Sequence, residues 1–215
     1  WVLPLLAGRR EGGVSVQGKP WWIVESDQFL YGPDAAAWAQ NALALHQGRL
    51  LDLDPHRLPT WTLFTVGVMN VFDVDVALAG HLVNRAEHLL LGPVLYLLGR
   101  LLGLRAFAFA GAAIVVAQPH LLASACRFGV DPTVTLLVPL TMLTARLAGG
   151  RWWFAPVAGA VAGLTMVSHL TALAFPICGL LLLVASGRGW WRRLAAVLLY
   201  SAAVFLVFRW VFSVF

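Results

Sequence analysis

The stretch YGPDAAAWAQNALALHQGR, residues 31–49, places a carboxylate, Asp34, where a helix is expected to begin. A carboxylate there can complete the helix start by accepting a backbone N–H, or it can accept the proton of a hydroxyl brought to a membrane surface. Arg85 in VNRAEH and Arg127 in ACRFGVDP offer the planar, paired donors that suit a phosphate, and arginine at a membrane interface also serves as an anchor reaching for water. Asp131, with Pro132 behind it, fits a helix start and is also a lone acid beside apolar sequence, which by default is a candidate site. His56 in DPHRLP and His169 in MVSHLTA are isolated histidines that fit either a structural hydrogen bond or a polar contact within a site. Two D-x-D stretches, DLD at 52–54 and DVD at 73–75, have the pattern with which paired carboxylates hold a divalent cation against phosphate. HLVNRAEH carries His81, Glu87 and His88 without the spacing of a zinc-binding helix.

Composition decides what surrounds these groups. The 215 residues are 60% hydrophobic and 12% charged, with a mean hydropathy of +0.80, which is too apolar for a soluble domain and points to a polytopic membrane protein. Of the 10 acids only Asp131 lies beyond residue 87, so carboxylate chemistry is confined to the first part of the chain and that one position. The net charge of +5 comes from arginines scattered between apolar runs, not from a basic stripe with interleaved aromatics, so no nucleic-acid partner is expected. Cys126 and Cys178 fit no disulfide or metal spacing and are expected to be small core residues.

The elements that must hold the candidate residues follow from the same sequence. Pro33 and Gly48 bound an expected amphipathic helix with Trp38, Ala42 and Leu45 on one stripe, lying on the membrane surface. Residues 61–75 fit a second surface or re-entrant helix, so residues 1–75 form an external loop region with juxtamembrane helices and 76–215 a transmembrane helical bundle. The opening WVLPLLAGRREGG is too short for a span of roughly 20 residues, and its basic residues follow the apolar run where a signal peptide has them first. With the basic loops 99–105, 145–153 and 186–193 facing the cytoplasm, about six spans fall at 84–103, 105–123, 131–147, 152–168, 170–186 and 194–213. The fold class is all-α, with Asp34, the RFGVDP turn and His169 on the opposite, non-cytoplasmic side.

The order of these features resembles a known family. Asp34, Trp38, Ala42, Leu45 and Gly48, then DPHRLPTWTLF (54–64), VNRAEHLLLGPVLYLLGRLLGLRAFA (83–108), ACRFGVDPTVTLL (125–137) and AGAVAGLTMVSHLTALAFP (158–176), together look like the GT-C membrane glycosyltransferases. Those using polyprenyl-phosphate sugars, such as the protein O-mannosyltransferases and aminoarabinose transferases, are nearest in layout, over roughly residues 30–186. The resemblance implies inverting transfer of a sugar from a polyprenyl-phosphate donor at the outer face of a bacterial inner membrane, with residues 1–75 periplasmic. It gives Asp34 the place of the catalytic base, Arg85 and Arg127 the lipid phosphate, and Asp131, His56 and His169 the acceptor or sugar. It also implies work without a bound metal, so no cofactor is expected despite the D-x-D stretches, and the partners are a polyprenyl-phosphate-linked sugar and membrane lipid.

Two departures shape the expectation. Arg57 and Leu58 interrupt the proline pair that relatives carry near the position of His56, and residues 1–30 contain no helix fit to precede the catalytic loop. The sequence is therefore expected to be either a portion of a longer enzyme or a reduced relative, a structural or accessory subunit of a larger complex that keeps the fold without the activity and has other membrane subunits as partners.

Overall fold

The computed structural model describes residues 15–16, 19–20, 33–54, 59–126, 129–169, 172, 174–187 and 189–214. Among them, apart from a two-residue antiparallel pairing of Ser15–Val16 with Lys19–Pro20, all regular structure is helical. The helices are α1 (Pro33–His46), α2 (Thr60–Phe72), α3 (Val76–Leu101), α4 (Ala108–Val116), α5 (Pro119–Cys126), α6 (Asp131–Gly150), α7 (Ala155–Met166), α8 (Phe175–Ser186) and α9 (Trp190–Val214). The chain forms two compact units, one of Trp1–His88 with Gln118–Pro132 and one of Leu89–Ala117 with Thr133–Phe215.

In the first unit α1 packs on α2. Pro33 opens α1, and Gly48 closes it at φ 69°, where Arg49 N–H bonds back to Ala44 O at 2.8 Å. That is the six-to-one bond of a glycine-terminated helix. The expected stripe forms at Trp38 and Ala42, but burial extends to Ala39, Asn41, Leu43 and Ala44. Small alanines let protein close round most of the helix, so α1 is enclosed where a single buried stripe was expected. Further on, Asp73 caps α2 in the left-handed conformation, φ 52°, which Asp tolerates better than most side chains. Asp75 Oδ1 accepts Leu78 N–H at 2.8 Å and so caps the start of α3. Between these two acids the chain bends by 113°.

The second unit is built on small residues. Ala145, Ala148, Ala155, Ala158 and Ala162 are fully buried with Leu183 and Tyr200. A Cβ on Gly159 would overlap the Tyr200 carbonyl oxygen and meet Ala203 Cβ at 2.8 Å, and one on Gly163 would meet Val207 Cβ at 2.8 Å. The two glycines, four apart, therefore let the α7 and α9 backbones touch, as small-xxx-small pairs do in membranes. Polar bonds fasten the rest: Thr141 and Thr165 hydroxyls meet at 2.7 Å between α6 and α7, and Tyr200 donates to Pro176 O at 2.8 Å between α9 and α8.

α6 and α9 are each long and apolar enough to cross a membrane, and the broken pairs α2–α3 and α4–α5 would raise the number to four. The expected span 105–123 is interrupted because Pro119 has no N–H to give and restricts the residue before it. The expected spans 152–168 and 170–186 are α7 and α8, 12 residues each, or about 18 Å at 1.5 Å per residue, against a hydrocarbon core of about 30 Å. Leu97, Phe109, Ile114, Leu181, Leu198 and Phe205 are exposed on the second unit, as lipid-facing side chains must be. Cys126 and Cys178, expected in the core, are both exposed, which in an apolar helical protein costs a small weakly polar thiol little.

Candidate functional site

Asp34 occupies the first turn of α1; its side chain lies outside the described residues. The helix that carries it is held at three places. Trp38 meets Trp61 edge to face at 5.9 Å between ring centroids. Asn41, buried, receives the Asp54 N–H at 2.8 Å and donates to the Asp54 carbonyl at 3.2 Å, a two-point clamp on the loop behind the helix. Gly48 stops the last turn.

Arg85 lies on the exposed side of α3. The buried stripe of that helix runs Val76, Ala79, Val83, Asn84, Glu87, Leu91, Val94 and Leu98, and Arg85 falls off it, on the face that exposes Leu78, Leu82 and Leu89. A guanidinium among exposed leucines needs water or an anion for its donors. Asp131 is exposed at the start of α6. Residues 118–132, which carry it, fold into the same compact unit as α1, α2 and the first half of α3, so Asp34, Arg85 and Asp131 share one body. His56 and Arg127 lie outside the described residues. His169 belongs to the other unit, half-buried in the break between α7 and α8.

The interior of the first unit carries several polar side chains. Trp61, fully buried, donates its indole N–H to Asn84 Oδ1 at 2.7 Å. Glu87, one turn further along the stripe, is 5% exposed, a carboxylate held inside an apolar chain. Thr62 and Thr65 are fully buried, and neither their hydroxyl oxygens nor His88 Nε2 has a hydrogen-bond partner among the described residues. The signal was present in HLVNRAEHLLL: Asn84, Glu87 and Leu91 fall three and four apart, which puts Glu87 on the buried face.

The D-x-D stretches have other employment. Asp73 and Asp75 end one helix and start the next, and Asp52 pairs with Arg49 at 2.8 Å on the surface. Among the described residues no three His, Cys, Asp or Glu side chains gather as a metal site would require. In the second unit an apolar groove of about 280 Å³ runs past Met166, Pro176, Leu180, Tyr200, Val204 and Phe208, a surface suited to a lipid chain.

Compared with models of protein families, with curated proteins and with solved structures, the chain matches none.

Proposed function

We propose that the chain is a membrane glycosyltransferase of the GT-C type, moving a sugar from a polyprenyl-phosphate donor to a hydroxyl acceptor on the non-cytoplasmic side of a bacterial inner membrane, with inversion. The observation that carries this reading is the union of the α1 region, the Arg85 turn of α3 and the Asp131 segment in one compact unit, although 42 residues lie between His88 and Asp131. A base, a phosphate-binding cation and a second acid then belong to one body.

The reaction follows from their chemistry. The Asp34 carboxylate takes the proton of the acceptor hydroxyl as its oxygen attacks the anomeric carbon. The bond from that carbon to the phosphate oxygen breaks on the opposite face, which inverts the centre. The polyprenyl phosphate leaves as an anion and is held by Arg85 and Arg127, whose paired donors match its oxygens. Asp131, with His56, orients the acceptor or sugar hydroxyls. The polyprenyl chain lies along an apolar helix surface, and the step needs no metal because the leaving phosphate is neutralised by guanidinium.

The test is release of polyprenyl phosphate from synthetic short-chain polyprenyl-phosphate hexoses by the purified chain in lipid nanodiscs. Arg85→Gln is expected to raise the KM for donor with a smaller effect on kcat, because the lost contact is made to the phosphate in both ground and transition states. Donor turnover unchanged in KM and kcat by Arg85→Gln would remove Arg85 from the phosphate site.

A further inference from the structure

A cavity of about 180 Å³ opens at one end of the second unit, between the loops that follow α6 and α8, and Gly149, Gly150, Trp152, Gly187, Arg192 and Arg193 line it. Its walls are drawn close by glycine: a Cβ on Gly149 would collide with Ser186, so the ends of α6 and α8 meet backbone to side chain. One of the two arginines is fixed in place, since Arg193 donates its Nε–H to the Gly187 carbonyl at 2.6 Å, and its terminal nitrogens make no hydrogen bond to the described residues. Arg192, exposed on the first turn of α9, makes no hydrogen bond or ion pair to the described residues.

The second unit has no aspartate or glutamate with which to neutralise this pair. From residue 132 to the end the sequence holds arginine at 146, 151, 188, 192, 193 and 209 and not one aspartate or glutamate. Two cations on the first turn of a helix also oppose its dipole, which an anion between them would relieve. The depth is marked by tryptophan: Trp152, Trp153, Trp190 and Trp191 are all exposed around these loops, as aromatic residues are at the level of lipid headgroups. Below them Leu194 and Leu198 continue the exposed face of α9 toward the apolar region.

We infer that this cavity binds the phosphate of an anionic phospholipid, with Arg192 and Arg193 on the phosphate oxygens and the acyl chains running down the Leu194–Leu198 face. Basic pockets between transmembrane helices hold acidic headgroups by this chemistry, and the space exceeds that of a single water, which takes roughly 30 Å³ of liquid. The inference stands apart from the glycosyltransferase reading.

The experiment counts phosphatidylglycerol bound to the full chain by native mass spectrometry from detergent, against phosphatidylcholine. The expected result is one saturable phosphatidylglycerol, weakened roughly thirtyfold in Arg192→Gln/Arg193→Gln at about tenfold or less per arginine, and unaltered in Arg100→Gln/Arg105→Gln, which removes the same charge from another basic loop. Gly150→Phe is the second variant: a Cβ there meets nothing within 4 Å, so the ring fills the cavity without touching a charge, and binding is expected to fall as well. Equal loss in the two arginine pairs, or full binding in Gly150→Phe, would overturn the site. Displacement of the lipid by millimolar inorganic phosphate would overturn the lipid as its occupant and make it a soluble-phosphate site.

Discussion

Trp61 and Asn84, both fully buried, are joined by an indole N–H···Oδ1 bond of 2.7 Å that links α2 to α3 behind a 113° bend. The bend itself is made by two acids that end and start helices, but this bond fixes how far α2 folds back. Asn84→Ala removes the acceptor and leaves a buried donor, at a cost of about 1–3 kcal/mol. The expected outcome is a lower thermal unfolding midpoint in detergent, whereas an unchanged midpoint would mean that the bond contributes nothing to holding α2.

The DVD stretch makes a separable prediction. Because Asp75 caps α3 through Leu78 N–H, Asp75→Ala should cost about 1 kcal/mol and Asp75→Asn much less, since Asn caps as well as Asp. If the pair instead held a cation, Asn would be as damaging as Ala and millimolar Mg²⁺ or Mn²⁺ would raise the wild-type midpoint; thermal unfolding of the three chains with and without metal decides between them.

Close contact of α7 with α9 should be intolerant of volume. Gly159→Leu or Gly163→Leu forces side-chain atoms into Tyr200 O, Ala203 and Val207, and overpacking of this kind costs about 1–3 kcal/mol. Gly111→Ala, on a helix where a Cβ meets nothing, should be neutral or stabilising by up to about 1 kcal/mol through helix propensity. The order of the three midpoints is the measurement, and Gly111→Ala as harmful as the other two would contradict the packing.

The buried hydroxyl pair of Thr141 and Thr165, 2.7 Å apart, is suited to a double-mutant cycle with valine. Inter-helix hydrogen bonds in membrane proteins average only about 0.6 kcal/mol, so each single change should be mild. The double variant should be no worse than the worse single, because neither hydroxyl then lacks its partner. Strictly additive losses would mean that the two hydroxyls are not coupled.

How much of this was readable from the sequence depends on the distance over which the deciding interaction acts. The limits of α1 were legible because Pro33 and Gly48 act locally, and the apolar segments were legible because each carries its own composition. What could not be read was the enclosure of α1: Trp38 and Ala42 show a stripe, but alanines at 39 and 44 look neutral until a neighbour closes on them. The acids of DVD have the spacing of a metal pair, and spacing alone does not reveal that the chain bends between them. α7 and α8 were expected as spans from their apolarity, yet Pro156 and Pro176 near their starts, with the break around His169, keep each to 12 residues. The glycines at 159 and 163 carried a legible signal, the four-residue spacing of AGAVAG, for the tightest helix contact in the second unit. For the candidate site, the sequence supplied the residue types, and the folding of residues 118–132 onto the first unit is a long-range pairing that no local pattern encodes.

The role of Asp34 is open to a direct measurement: the rate of sugar transfer from a polyprenyl-phosphate donor by the wild-type chain and by Asp34→Asn, in nanodiscs, with helical content and unfolding midpoint checked alongside. Asparagine serves a helix start nearly as well as aspartate and loses only the charge-dipole attraction of about 0.3–1 kcal/mol, so folding should survive while the base is gone. The proposed function requires transfer by the wild type and a loss of about 100-fold or more in Asp34→Asn, the scale of general-base catalysis. Transfer at the wild-type rate in a folded Asp34→Asn chain would contradict it and leave Asp34 a residue of the helix start alone.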